Sequence, residues 1–369
     1  MRVLLVTNIP SPYMVDYLDC LGKKCSVTAL FEMHSATDRH PQWYGKLNNK
    51  SFDFYFLNGI RVSKEAGLSF RVIHFLKKDF DRIIIANPTT PTGIVALLYC
   101  KWKKKKVILQ SEGGFAGSGK GIKEKLKKFL MKDAAMYLSG MKGNHDYFLS
   151  YGATSETLKW YPFSSLHRNE IDQCVISKHE KEDLKNTLGI YENKVVISVG
   201  QAIYRKGFDI LLKSKPFLDE QVGLYIVGAE LNSEYKKIID EYHLTNVHFV
   251  NHCSFQELRK YYHSADIFVL PTREDTWGLV INEAMACGLP VITTEKCIAG
   301  LQLIQDDING FIVKSEDIEA IANRVTLLLQ NDEKRAFMSK QNIEKIKPYN
   351  IENMAEIIFH NIQSEYEVN

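Results

Sequence analysis

The chain reads as an α/β protein built from two doubly wound, Rossmann-like domains, and three observations predict this. Its 369 residues exceed what one compact core organises. Short β-branched runs alternate with longer amphipathic stretches almost throughout, the pattern of parallel sheets covered by helices. The charge is divided: residues 1–170 carry 26 Lys/Arg against 14 Asp/Glu, and residues 171–369 carry 21 against 30, under a net charge of only +3. Halves of opposite charge point to domains with different partners.

Taken in order, strands are predicted at 2–7, 26–31, 82–86, 106–110, 134–138 and 157–161, joined by a hairpin-like piece near 52–57. A second set follows at 194–199, 222–227, 247–250, 266–270, 290–293 and 311–313. Two sets of about six strands make two doubly wound domains. The linker falls near Pro162 to Asp172, giving a first domain over 1–170 and a second over 171–349. The segment 350–369 reads as a helix after Pro348, expected to cross back to the first domain.

A composition of 45% apolar and 25% charged residues is that of a soluble globular enzyme. The opening run Met1 to Thr7 is too short for a secretory h-region and reads as a buried strand. The longest apolar run elsewhere, Ile94 to Cys100, is far below the roughly 18 residues of a spanning helix. Seven scattered cysteines without a Cys-x-x-Cys pair argue against a disulfide framework or zinc site and for a reducing, cytoplasmic location.

The most informative stretch runs from Leu270 to Ile292. It follows a buried strand, so its loop lies at the carboxyl edge of a parallel sheet, where open α/β sheets bind ligands. Gly278 to Cys287 is helical in pattern, with Gly288 and Pro290 ending it. The helix start, with Thr276, Trp277, Gly278 and Leu279, would present free N–H groups to a diphosphate. Asp275 and Glu283 frame it, two carboxylates able to accept the hydroxyls of a sugar nucleotide. The plain alternative makes Asp275 an N-cap and Glu283 a solvated helix residue. A second loop, Gly200 to Asp209, follows the buried strand 195–199 and contains Arg205 and Lys206.

This segment resembles the acid-x7-acid signature of the retaining GT-B glycosyltransferase family 4, which ends in Glu-Ala-Met-Ala-x-Gly-x-Pro-Val. The second acid is Glu283, and the first aligns with Asp275, where the family usually has Glu and where Glu274 stands adjacent. The Gly200 loop resembles the family's strand-Gly-Arg-x4-Lys-Gly, with Lys206 at the Lys position and Gln201 at the usual Arg position. The resemblance implies two domains facing a cleft, with a nucleotide-sugar donor, UDP or GDP, bound by the second. Glu283 would bind the ribose, Asp275 would lie near the transferred sugar, and Lys206 would hold the diphosphate. Arg205 is near enough to replace the missing cation. His252 and Cys253 fall where relatives hold the nucleobase. Motif resemblance covers 194–345; over 1–170 it is architectural.

In the first domain, Glu112 with Gly113 and Gly114 follows strand 106–110 and is the candidate for contacting the acceptor. Gly114 to Gly121 nearly spells a P-loop but lacks the Ser/Thr after its lysine. Asp79-Phe80-Asp81 precedes a strand instead of ending one, so no metal or other cofactor is expected. Lys101 and Lys103 to Lys106 bracket Trp102, and Ile122, Leu126, Phe129 and Leu130 recur at helical spacing among lysines of 120–132. That pattern suits an interfacial helix on the anionic inner face of a membrane, or equally an ordinary helix with a solvated basic face. No aromatic stacking set accompanies it, so nucleic acid is not expected. The expected activity is sugar transfer to a glycan or lipid-linked acceptor in polysaccharide or glycoconjugate synthesis. A sugar-nucleotide epimerase, a phosphorylase and a non-catalytic nucleotide-sugar sensor remain rivals on the same fold.

Overall fold

A computed structural model describes residues 1–37, 46–115, 121–142 and 147–364. The chain forms two compact units, Met1–Ser165 with Tyr349–Asn369, and Leu166–Pro348.

The first unit runs β1 (Arg2–Thr7), α1 (Pro12–Gly22), β2 (Ser26–Phe31), β3 (Asp53–Phe56), β4 (Ile60–Arg61), β5 (Gly67–Leu68), α2 (Val72–Leu76), β6 (Arg82–Ile85), α3 (Pro91–Trp102), β7 (Ile108–Ser111), α4 (Ile122–Met131), β8 (Met136–Ser139) and β9 (Leu158–Trp160). Seven strands form one sheet in the order β3-β2-β1-β6-β7-β8-β9, parallel throughout. Helices on both faces explain why β1 is a continuous apolar run: Val3, Leu4 and Leu5 are fully buried. Each such side chain contributes roughly 1.5–3 kcal/mol. The piece near 52–57 is not a hairpin. Asp53 to Phe56 extends the sheet beside β2 in parallel register, and the antiparallel hairpin is β4 with β5. Aromatic alternation marks an extended segment but carries no direction; the free edge of β2 supplies it.

The second unit runs α5 (Lys178–Leu188), β10 (Lys194–Val199), α6 (Phe208–Ser214), β11 (Val222–Val227), α7 (Ser233–Glu241), β12 (Val247–Val250), α8 (Phe255–Ser264), β13 (Ile267–Leu270), α9 (Leu279–Ala286), β14 (Val291–Thr294), α10 (Ile298–Leu303), β15 (Gly310–Val313), α11 (Ile318–Leu329) and α12 (Asp332–Ile346). Its six strands are ordered β12-β11-β10-β13-β14-β15, again all parallel. The order reverses between β10 and β13, the kind of position at the carboxyl edge where open α/β sheets bind ligands.

The last helix, α13 (Ile351–Ser364), belongs to the first unit and packs on α1. Ile351, Met354, Ala355, Ile358 and Ile362 form its buried face at helical spacing. Arg82 Nε donates to its Ile362 carbonyl at 2.5 Å. Residues 365–369 of the expected helix lie outside the described residues.

Candidate active site

The two loops at the reversal of the second sheet meet through charge. Lys206 Nζ donates to Asp275 Oδ2 at 2.6 Å, and both residues are buried, at 8% and 7% exposure. Arg205 Nη1 lies 3.4 Å from Asp275 Oδ1 and donates to the Glu274 carbonyl at 3.3 Å. The Lys206 stem lies beside Gly200, where an added Cβ would stand 3.3 Å from Lys206 Cε. Gly207 makes the approach possible: its φ is +69°, and a Cβ there would fall 2.1 Å from the Pro271 carbonyl oxygen. Any side chain would drive the loops apart.

Arg273, which sequence reasoning missed, ties these loops together. Its guanidinium donates to both Asp209 oxygens at 2.7 Å and to the Tyr204 carbonyl at 2.8 Å, pairs with Glu316, and lies 4.0 Å from the Tyr204 ring centroid. Its backbone N–H and the Thr272 hydroxyl both reach the Arg205 carbonyl, at 2.7 Å each. Such bidentate Arg–carboxylate geometry is among the stronger polar contacts available, and it fixes the backbone on which Lys206 stands.

Asp275 is not an N-cap. The cap of α9 is Gly278 at φ +97°, with no side-chain bond, and a Cβ there would lie 2.7 Å from Cys297 Sγ. The acidic loop is instead stitched to 296–299: Asp275 N–H donates to the Lys296 carbonyl at 2.8 Å, and Ala299 N–H to the Trp277 carbonyl at 2.8 Å. Buried Trp277 donates Nε1–H to Asn282 Oδ1 at 2.9 Å. Glu274 and Thr276 are exposed and Leu279 partly so; of Glu274, the carbonyl joins the cluster. One turn into α9, Glu283 accepts a hydrogen bond from the Tyr262 hydroxyl at 2.9 Å. Burial pushes the Glu283 carboxyl up to about 7, so it is not an ordinary solvated helix residue. Tyr262 comes from α8, and its sequence position gives no sign beyond an apolar face. His252 and Cys253 follow the outer strand β12, two strands from β10, with His252 exposed.

In the first unit, Glu112 at the end of β7 accepts from the Tyr13 hydroxyl, which packs edge-on to Phe163. Burial first, and the Glu112 charge second, raise the Tyr13 hydroxyl well above its ordinary value. Gly113 closes a tight turn with the Ser111 hydroxyl, and Gly114 packs near Tyr147. Sequence reasoning missed Glu32 at the end of β2. It accepts from the Thr90 hydroxyl and the Gly67 N–H, and burial pushes its carboxyl up to about 7. Residues 116–120 of the P-loop-like run lie outside the described residues.

Among the described residues, Asp172, His263 and Cys287 bring three ligand-type atoms within 4.8 Å of one another. The Arg259 guanidinium pairs with Asp172 there. It already supplies the positive charge, so the group reads as a partly buried ion-pair cluster. On α4, Leu130 and Met131 are buried, while Ile122, Leu126 and Phe129 are exposed at 87%, 47% and 52%. Among the described residues, no helix is long and apolar enough to cross a membrane.

Two parallel sheets, each reversing its strand order once, are shared with solved glycosyltransferases, and this is the GT-B fold. The crystal structure of HepE from Anabaena in complex with UDP superposes with a TM-score of 0.77 at 17% identity, over 99% of this chain and 100% of that one. Residues 180–345 match the model of glycosyl transferases group 1. An uncharacterized glycosyltransferase of Haemophilus influenzae is 34% identical over 181 residues, or 47% of this chain and 50% of that protein. The chain thus spans about half the length of that relative. The N,N'-diacetylbacillosaminyl-diphospho-undecaprenol alpha-1,3-N-acetylgalactosaminyltransferase of Campylobacter jejuni is 20% identical over 301 residues, 79% of each chain.

Proposed function

We propose that the chain is a glycosyltransferase that moves a sugar from a UDP- or GDP-sugar to a glycan or lipid-linked acceptor. The observation that carries this is buried Lys206, held with Arg205 and Asp275 at the reversal point of the second sheet, inside the family-matched stretch. In the reaction, the bond between the anomeric carbon and the β-phosphate oxygen breaks, and its electron pair stays on the diphosphate. The acceptor hydroxyl oxygen bonds to the anomeric carbon, and its proton passes to the departing phosphate on the same face, which retains configuration. Lys206, Arg205 and the N–H groups opening α9 stabilise the growing negative charge, so a metal is not required. Glu283 accepts ribose hydroxyls.

The complexes of HepE with UDP and with UDP-glucose support a uridine donor. The diphospho-undecaprenol in the name of the Campylobacter relative supports a lipid-linked acceptor. Exposed Ile122, Leu126 and Phe129 among the α4 lysines, with Trp102 72% exposed nearby in sequence, support docking on an anionic cytoplasmic membrane face.

Thermal-shift titration with UDP, GDP and their sugars in EDTA tests the donor reading. One nucleotide is expected to stabilise the wild type but not Lys206→Ala. No stabilisation by any of them, or stabilisation only after manganese is added, would contradict it.

A further inference from the structure

Asp275 stands where a donor's diphosphate must also bind, because both need the same cations. Its Oδ2 takes a hydrogen bond from Lys206 Nζ at 2.6 Å, and its Oδ1 faces Arg205 Nη1 at 3.4 Å. Its position is not accidental. The Asp275 N–H and C=O are both bonded to the 296–298 segment, and Thr272 and Arg273 pin the Arg205 carbonyl from the same loop. Carboxylate and cations are therefore presented to each other by a fixed backbone.

Resting on the donor reading above, we propose that Asp275 is a built-in counter-anion that lets the site discriminate an intact sugar nucleotide from the nucleoside diphosphate left after transfer. A diphosphate taking Lys206 either draws its ammonium away from Asp275 or shares it, and both weaken the pair. A carboxylate that is 7% exposed cannot be left without partners at little cost. An intact donor carries hydroxyl groups on the sugar attached to its β-phosphate, beside the displaced carboxylate, and these can satisfy it. A free nucleoside diphosphate carries none there. It must compete with Asp275 for the cations, and its own terminal phosphate adds negative charge at short range. The same residue thus weakens the product more than the donor, and by returning to Lys206 it favours product departure. A reach to hydroxyls alone would require no ion pair to Lys206; the ion pair makes the residue a competitor as well.

The experiment is calorimetric titration of wild type, Asp275→Asn and the double variant Lys206→Gln/Asp275→Asn with UDP, GDP, UDP-glucose and GDP-mannose. Asp275→Asn keeps the shape and removes the charge. UDP or GDP should then bind about tenfold more tightly, while the matching sugar nucleotide gains less or loses affinity. The tightening should largely be lost in the double variant, because without Lys206 only Arg205, 3.4 Å from Asp275 in the wild type, is left to compete for. Nucleoside diphosphate affinity that is unchanged or weakened in Asp275→Asn, while the wild type binds it, would overturn the counter-anion role. Equal gains for diphosphate and sugar nucleotide would overturn the discrimination. Failure of all four compounds to bind the wild type would overturn the donor reading itself. Should Asp275→Asn not fold, Asp275→Ser in the same titrations carries the same expectations.

Discussion

The two sheets reverse their strand order at corresponding places and put different chemistry there. Between β1 and β6, the first unit places an amide: Asn87 Oδ1 accepts from the Thr7 hydroxyl at 2.9 Å and from the Asn8 N–H at 3.1 Å. Along the same edge, Glu32 and Glu112 take hydrogen bonds from Thr90 and Tyr13. Between β10 and β13, the second unit places an ion pair, Lys206 with Asp275, with Arg205 beside it. One architecture thus fixes where a ligand is met, and the residues at the crevice fix its kind. Carboxyls and amides facing hydroxyl donors suit a polyol, and buried cations suit a diphosphate.

The sharpest way to break this comparison is to remove the cation from one side of it. Lys206→Ala should lower turnover by about 10²–10³, because the lost charge acts most on the leaving diphosphate. Steady-state kinetics with the identified donor check this, and near-normal kcat would empty the second crevice of its assigned chemistry. Next in size, Glu283→Ala should weaken nucleotide Kd by about tenfold to a hundredfold, roughly 1.4–2.7 kcal/mol. Unchanged affinity in the folded variant would remove Glu283 from the site.

Why the second crevice was legible, and the first only at Glu112, follows from where the residues lie in the chain. Lys206 sits within one strand-glycine-loop unit, and Asp275 and Glu283 within one strand-loop-helix unit, so local pattern was enough to put them on one sheet edge. Their direct contact, Lys206 on Asp275, needed the adjacency of β10 and β13, which no spacing encodes. Arg273 carries no local signal, because its partners Asp209 and Glu316 come from separate elements. The first crevice draws Asn8, Glu32, Asn87 and Glu112 from four loops; Glu112 is marked by the strand before it and the Gly113-Gly114 pair after it, and the other three are single residues without a motif. Apolar periodicity found α4 but could not show that Ile122, Leu126 and Phe129 remain exposed. A pattern states which face is apolar, not what covers it.

Two carboxyls with raised values sharpen the comparison through pH. Glu32 and Glu283 are each pushed up to about 7 by burial. A raised folded value means that the protonated form favours the fold. That contribution is full below the unfolded value near 4.5 and is lost as pH rises through about 7. Melting curves from pH 5 to 8 should show stability falling, and Glu32→Gln and Glu283→Gln should each flatten the fall by on the order of 1–3 kcal/mol. Profiles parallel to wild type would mean that these carboxyls are ionised at little cost. The smallest effect concerns the outer surface of the first unit. Exchanging Lys123, Lys125, Lys127 and Lys128 for Gln should weaken binding to phosphatidylserine vesicles by about 1 kcal/mol per lysine that faces the lipid. Vesicle sedimentation measures it, and wild-type protein that does not sediment would leave α4 as solvated surface.

The claim on which the rest depends is that the cation belongs to the second crevice and not to the first. Titrating UDP and GDP calorimetrically into wild type, Lys206→Ala and Asn87→Ala tests it most directly. One nucleotide should bind wild type and Asn87→Ala alike and bind Lys206→Ala at least about tenfold more weakly. Binding that survives Lys206→Ala unchanged, or that is lost in a folded Asn87→Ala protein, would contradict the account.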